Sequence, residues 1–249
     1  MRIEHIGTAT LYHADYLDVE LPHDIDAVLT DPPYGKTKCA WDSIPASMAA
    51  FWEKIAPVTK ESAVVAVFGI GTFWVDVVNS NRPFFRYDLV YEKGPATGFL
   101  DANRKPLRAH ELIAVFYRKP PEYHPQKTCG EPYVKRRRGE AAVVYNYARN
   151  TATKNADGLR YPRSVIRCKG HGGKSWHPTG KPVDLMDWLV RTYTSEGQIV
   201  LDPFMGSGTT GVAALKAKRR FIGVEKDVRW FDVACRRMEE AAKEAERAE

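Results

Sequence analysis

The sequence has no stretch of about 18 apolar residues, so no membrane-spanning helix is expected. The start, Met1-Arg2-Ile3-Glu4-His5, shows no apolar core of the secretory-leader type. Cysteine is scarce. Cys39, Cys129, Cys168 and Cys235 are scattered, with no spacing of the metal-knuckle or redox-pair type. These absences argue against a disulfide-stapled secreted domain and against a metal site. They predict free thiols in a reducing, cytoplasmic compartment. A strong charge of either sign is also lacking: 37 Lys and Arg stand against 31 Asp and Glu, a net +6. The distribution is uneven, however. From Arg118 to Lys174 there are 14 Lys and Arg against 4 acids, while the remainder holds 23 against 27. A basic segment with interleaved tyrosines, on a slightly acidic body, points to a polyanionic partner rather than to a merely solvated loop.

What is present is organised around Asp31-Pro32-Pro33-Tyr34-Gly35. Ile25 to Thr30 reads as a buried strand, and two prolines in succession must end it. Asp31 is therefore expected at the carboxyl end of a strand, where open α/β sheets bind ligands. Its carboxylate and the Pro32 carbonyl are adjacent acceptors, suited to a group with two N–H donors such as the exocyclic amine of a nucleobase. Tyr34 offers a flat face for a planar ring.

Far along the chain a second strand end appears. Gln198 to Leu201 leads into Asp202-Pro203-Phe204-Met205-Gly206-Ser207-Gly208-Thr209-Thr210-Gly211, then a helix, then a strand ending in Glu225. Alone, this matches a dinucleotide fingerprint, with Glu225 17 residues past Gly208. An oxidoreductase is thus a rival reading. Only 24 residues follow Glu225, too few for a further pair of βα units, and a hydride enzyme leaves the Asp31 pentad unexplained.

The Asp31 pentad and the Asp202–Gly211 turn together resemble the beta class of DNA amino-methyltransferases, which act on adenine N6 or cytosine N4. The Asp-initiated pentad is more similar to the adenine group, and cytosine N4 is the alternative. The resemblance implies a seven-stranded, Rossmann-like α/β fold dependent on S-adenosylmethionine, circularly permuted, with an inserted target-recognition region. In that frame residues 1–119 form the catalytic half of the sheet, 120–165 the DNA insertion and 166–249 the cofactor half. The seven expected strands are Thr8 to His13, Ile25 to Thr30, Ser62 to Phe68, Phe85 to Tyr91, Leu112 to Tyr117, Gln198 to Leu201 and Phe221 to Val224.

The resemblance also implies roles. Asp31, Pro32, Pro33 and Tyr34 are catalytic. Asp202, Phe204, Gly206, Ser207, Gly208, Thr209, Thr210 and Glu225 hold the cofactor, and Gly206 and Gly208 allow close backbone approach. Asp15, at the end of the first strand, is either the acid near the cofactor's adenine or a helix N-cap. Lys181, in His177-Pro178-Thr179-Gly180-Lys181-Pro182, serves the cofactor carboxylate or a DNA phosphate, or simply caps. Gly180 departs from the Gln or Glu more usual there. Lys36, Lys38, Arg104, Lys105, Lys135, Arg136, Arg137 and Arg138 are expected to meet DNA. The carbon-5 cytosine chemistry lacks its Pro-Cys motif. The implied partner is double-stranded DNA in a bacterial or phage-infected cytoplasm, with room for a homodimer and for a cognate restriction nuclease. A nucleic-acid-binding module without activity is a weaker reading, because Asp31 and Glu225 are intact.

Four local expectations remain. Pro45 to Ile55 should be a helix with Met48, Phe51, Trp52 and Ile55 on one face. Glu92 to Phe99 should be a glycine-rich mobile loop. The last helix should turn Val228, Phe231, Met238 and Ala245 inward, and Trp41 should stack on substrate or anchor a lid.

Overall fold

The computed structural model of the chain describes residues 1–34, 47–136, 152–168 and 180–247. It divides into two compact units, Met1–His124 with Ser164–Glu249, and Pro125–Arg163. In the larger unit the strands are β1 (Arg2–Ile6), β2 (Ala9–His13), β3 (Ile25–Thr30), β4 (Thr59–Gly69), β5 (Phe85–Thr97), β6 (Arg108–Phe116), β9 (Val165–Arg167), β10 (Ile199–Asp202) and β11 (Arg220–Glu225). They form one sheet in the order β1-β2-β11-β10-β3-β4-β6-β5-β9. β2, β11, β10, β3 and β4 run parallel, and β6 returns antiparallel between β4 and β5. Strands from both ends of the chain thus share one sheet.

All seven expected strands form, and among the described residues the sheet has two more. β1 folds back on β2 through a turn at Gly7, which has φ +54°. β9 adds to the other edge beside β5. Neither is long or apolar enough to announce itself, since its pairing comes from the neighbour's open edge.

Both faces of the central strands are buried, as a parallel sheet requires. Ala27, Leu29, Val64, Ala66, Phe68 and Val200 face α3 (Val183–Tyr193), α4 (Thr209–Lys216) and α5 (Val228–Arg247). Ile25, Val28, Val65, Val67 and Leu201 face α1 (Met48–Ile55) and α2 (Gly71–Ser80).

The structure corrects three expectations. α1 begins at Met48, because the Ser47 hydroxyl accepts from the Ala50 N–H and sets the start; Pro45 lies outside the described residues. Glu92 to Thr97 is not a loop but the continuation of β5. A register shift between Glu92 and Thr97 absorbs Gly94 and Pro95, and the Lys93–Glu111 ion pair ties the extension to β6. On α5, Phe231 and Met238 are buried as expected and Ala245 is partly covered, but Val228 is exposed; Trp230, Ala234, Cys235 and Arg237 share the inner face.

The smaller unit holds the antiparallel pair β7 (Tyr133–Arg136) and β8 (Ala152–Asn155). Arg160 donates to the Asn155 side chain (2.9 Å) and the Gly158 carbonyl (2.8 Å), and its guanidinium lies 4.6 Å from the Tyr133 ring centroid. Lys127 sits over Tyr161 at 4.7 Å. Two of the interleaved tyrosines therefore carry cations of their own chain.

Candidate active site

Because β2, β11, β10, β3 and β4 are parallel, their carboxyl ends share one edge. Asp15, Glu225, Asp202, Asp31 and Gly69 stand along it, and β6, running back, starts beside it with Glu111. The turn between β5 and β6, which carries Arg104 and Lys105, is at the same edge. Both side chains are exposed, and Lys105 pairs with Asp101 at 2.9 Å.

Asp31 ends β3 as its prolines require. Pro32 is buried, and the Tyr34 ring rests 5.1 Å from the Phe73 ring. Both Asp31 oxygens have partners within the chain: the Tyr34 hydroxyl donates to Oδ1 and the Lys181 ammonium to Oδ2. Lys181 also lies 3.1 Å from Glu111 Oε2, and Lys93 lies 2.8 Å from Glu111 Oε1. Lys181 is only 7% exposed. Burial pushes the Asp31 carboxyl up, and Lys181 pulls against it. Burial also works against charge on Lys181, yet Asp31 and Glu111 hold it above the ordinary lysine range. Glu111, likewise resisted by burial, is held below the ordinary glutamate range by Lys181 and Lys93.

Asp202 ends the neighbouring strand and is 3% exposed. Thr30, the residue before Asp31, donates to its Oδ1 (2.7 Å), as does the Phe204 N–H (3.1 Å), and Thr210 donates to Oδ2 (2.6 Å). The two motifs, 171 positions apart from Asp31 to Asp202, are thus joined through one threonine hydroxyl. Phe204 packs on Tyr16 (4.8 Å) and Phe51 (6.5 Å).

The glycine turn follows. Gly206 has φ +50° with open space where a Cβ would stand, and its N–H donates to Glu225 Oε2 (2.9 Å). Gly208 has φ +77°, and a Cβ there would meet Met238 Cε at 2.7 Å and Ala234 Cβ at 2.9 Å. Gly208 therefore admits α5, whereas Gly206 faces open space. Arg237 of α5, 8% exposed, donates to the Ser207 carbonyl (2.5 Å), the Ser207 hydroxyl (3.0 Å) and the Thr209 hydroxyl (3.1 Å). Glu225 Oε1 accepts from the Asp227 N–H (2.8 Å), and burial pushes this carboxyl up. Asp15 caps a single 3-10 turn, its Oδ1 accepting from the Leu17 N–H (3.1 Å). The Ala14 N–H bonds the Glu225 carbonyl (3.1 Å), so Asp15 is one strand from Glu225.

The edge therefore brings together Asp15, Asp31 to Tyr34, Lys181, Asp202 to Thr210 and Glu225. Lys135 lies in the smaller unit on β7 and is exposed, and Arg136 ends that strand. Lys36, Lys38, Trp41, Arg137, Arg138 and His177 to Thr179 lie outside the described residues. Sequence reasoning missed Glu111, Lys93 and Arg237 as parts of this edge. For Glu111 the signal was a carboxylate adjoining the apolar run Leu112-Ile113-Ala114-Val115-Phe116, because an acid buried there must be paired.

Comparison with known proteins agrees with this layout. A family model described as DNA methylase, N6_N4_Mtase, matches residues 25–236. The type II methyltransferase M.BglII of Bacillus subtilis is 28% identical over 254 positions, covering 90% of this chain and 67% of that protein. M2.DpnII of Streptococcus pneumoniae is 46% identical over 63 residues, about a quarter of each protein (25% of this chain, 24% of that one). Among solved structures, the M1.HpyAVI–SAM complex superposes with TM-score 0.63 at 24% identity, covering 92% of this chain and 99% of that one. The cytosine-N4-specific PvuII DNA methyltransferase gives 0.68 at 15% identity, with 97% and 93% covered. Those two likenesses speak for the fold, whereas the family match runs from β3, ahead of the Asp31 pentad, into α5, and on it the chain belongs to the N6_N4_Mtase family of DNA methylases.

Proposed function

We propose that this protein transfers a methyl group from S-adenosylmethionine to adenine N6 in double-stranded DNA. The observation that carries the reading is the Thr30–Asp202 bond, which sets the amine-accepting pentad beside the glycine turn at one sheet edge. The residues fit the cofactor. Gly206 leaves open space for a ligand, and three acids, Asp31, Asp202 and Glu225, stand at strand ends with burial pushing each carboxyl up. Such acids suit a ligand bearing cationic groups and ribose hydroxyls. Glu225 takes the ribose, Asp202 the ammonium, Asp15 the adenine side, and Gly206, Ser207 and Gly208 give the turn its shape. Phe204 forms an apolar wall. The Thr210 hydroxyl donates to Asp202, whereas the Thr209 hydroxyl accepts from Arg237 and keeps its proton, so the Thr209 hydroxyl and the backbone N–H groups at the start of α4 suit the carboxylate.

S-adenosylmethionine supplies an electrophilic methyl carbon on a sulfonium. The chain does the rest. The target base leaves the stack and lies on Tyr34, at a cost of about a few kcal/mol. Asp31 and the Pro32 carbonyl accept the two amine hydrogens, which turns the nitrogen lone pair out of conjugation. Pro33 keeps the turn stiff. Asp31 stabilises the positive charge that grows on the nitrogen. Holding both partners in line accounts for much of the acceleration. Lys36, Lys38, Arg104, Lys105 and Lys135 to Arg138 neutralise phosphates, and the unit Pro125–Arg163 reads the target site.

The test is labelled methyl transfer to DNA followed by nucleoside analysis. N6-methyladenine is expected. N4-methylcytosine would reassign the base within the same mechanism, and label on RNA or protein alone would overturn the reading. Asp31→Ala should lower turnover by at least about 10³-fold while cofactor affinity stays within about twofold; turnover at the wild-type rate would refute the role of Asp31.

A further inference from the structure

Methyl transfer uses the side of Asp31 that meets the substrate. Behind it stands a row of charges with no part in the transfer itself. Asp31, Lys181, Glu111 and Lys93 alternate in sign, and when all are ionised they sum to zero. We propose that Lys181, anchored by Glu111 and Lys93, is a positioning residue that keeps Asp31 a charged acceptor and aims it at the amine.

The geometry is specific. Lys181 precedes Pro182, whose φ of −61° sets the N-cap of α3, so the lysine stem leaves a rigid point of the backbone. Its ammonium lies 5.0 Å from the Phe68 ring centroid and 5.9 Å from that of Tyr34, which shields it from water. Tyr34 on one oxygen and Lys181 on the other pin the plane of the Asp31 carboxylate, and each oxygen keeps a lone pair for a substrate N–H. A buried ion is tolerated only when paired, and removing one partner strands the other. Among the described residues, the groups that face Asp31 are Tyr34 on its own turn, Lys181 ahead of α3, Glu111 on β6 and Asp202 on β10. Lys93 and Tyr91 on β5 face the Glu111–Lys181 pair.

This role rests on the proposed methyl transfer but is separable from it. Lys181→Met leaves two buried carboxylates without their shared cation, so Asp31 should hold its proton to higher pH. The acidic limb of the kcat–pH profile should move up by about one unit or more. Glu111→Gln removes a negative charge that works against ionised Asp31, so the limb should move the opposite way. Lys181→Arg, which keeps the charge, should leave it near wild type. A residue that only supports the fold would lower activity and melting temperature in both variants and leave the limb in place.

The same displacements should appear without turnover, in a carbon-13 carboxyl titration of the substrate-free protein, with the Asp31 resonance assigned through Asp31→Asn. Opposite displacements establish the positioning role. Unmoved titration, or displacement in one direction in both variants, overturns it. If Lys181→Met does not fold, Glu111→Gln and Lys181→Arg decide alone: a downward shift in the first and none in the second is required. Wild-type protein that moves no methyl to DNA but shows the opposite displacements would sink the proposed function and leave the charge linkage standing.

Discussion

Asp202 receives three hydrogen bonds, and burial still pushes its carboxyl up to about 6 from an ordinary 3.8. The folded state therefore holds this proton more tightly than the unfolded chain. Its stabilising contribution is complete below pH 3.8 and is lost as pH rises through about 6. Urea unfolding should show the wild type losing up to about 3 kcal/mol relative to Asp202→Asn between pH 4 and 7. A flat difference would mean that Asp202 titrates normally. Cofactor affinity should rise across the same window, as the ionised acid gains a cationic partner. At this scale the sequence showed which acids matter but not what they touch. Asp31 and Asp202 are marked by the prolines and glycines after them. Glu111 has no such punctuation, and the Gly94-Pro95 after Lys93 reads as a loop; only the antiparallel return of β6 between β4 and β5 sets the two behind Asp31.

At the scale of elements, the glycine turn separates two uses of one residue type. Gly208→Ala combines a left-handed φ of +77° with overlap against Met238 and Ala234. It should cost about 2–4 kcal/mol in urea unfolding. Gly206→Ala meets open space, and its φ of +50° should cost only about 1 kcal/mol. That second variant should instead weaken S-adenosylmethionine binding by at least about tenfold, because the Cβ enters the ligand's side of the turn; calorimetry measures it. Equal stability losses with unchanged affinity would return Gly206 to a purely structural role. The sequence motif presents the two glycines as equivalent. They differ because α5, whose Arg237 also holds Ser207 and Thr209, packs against one of them. The extension of β5 through Gly94 and Pro95 was unreadable for a related reason: residues that break an isolated strand are accepted where a bulge and a cross-strand ion pair compensate.

For the whole molecule, the salt dependence of DNA binding is expected to rest on the run Lys135 to Arg138, since Arg160 and Lys127 of the same basic segment are engaged within their own unit. Replacing Lys135 to Arg138 by glutamine should weaken DNA binding and reduce the slope of log K against log salt by roughly 0.9 for each phosphate no longer neutralised. An unchanged slope would put the DNA on other cations, such as Arg104 and Lys105. The sequence alone determined the α/β class, the two chemical motifs and the strand ends that carry those motifs, because hydrophobic period, proline and glycine act within a few residues. It also determined where charge accumulates. Only the tertiary structure decided that the two motifs are neighbours, that the sheet has two further edge strands, and that Lys181 lies between Asp31 and Glu111. Apart from the local β1–β2 hairpin, those pairings join residues 70 to 172 positions apart. Strand order and direction create them, and no local pattern in a chain encodes which distant strand end will stand beside which.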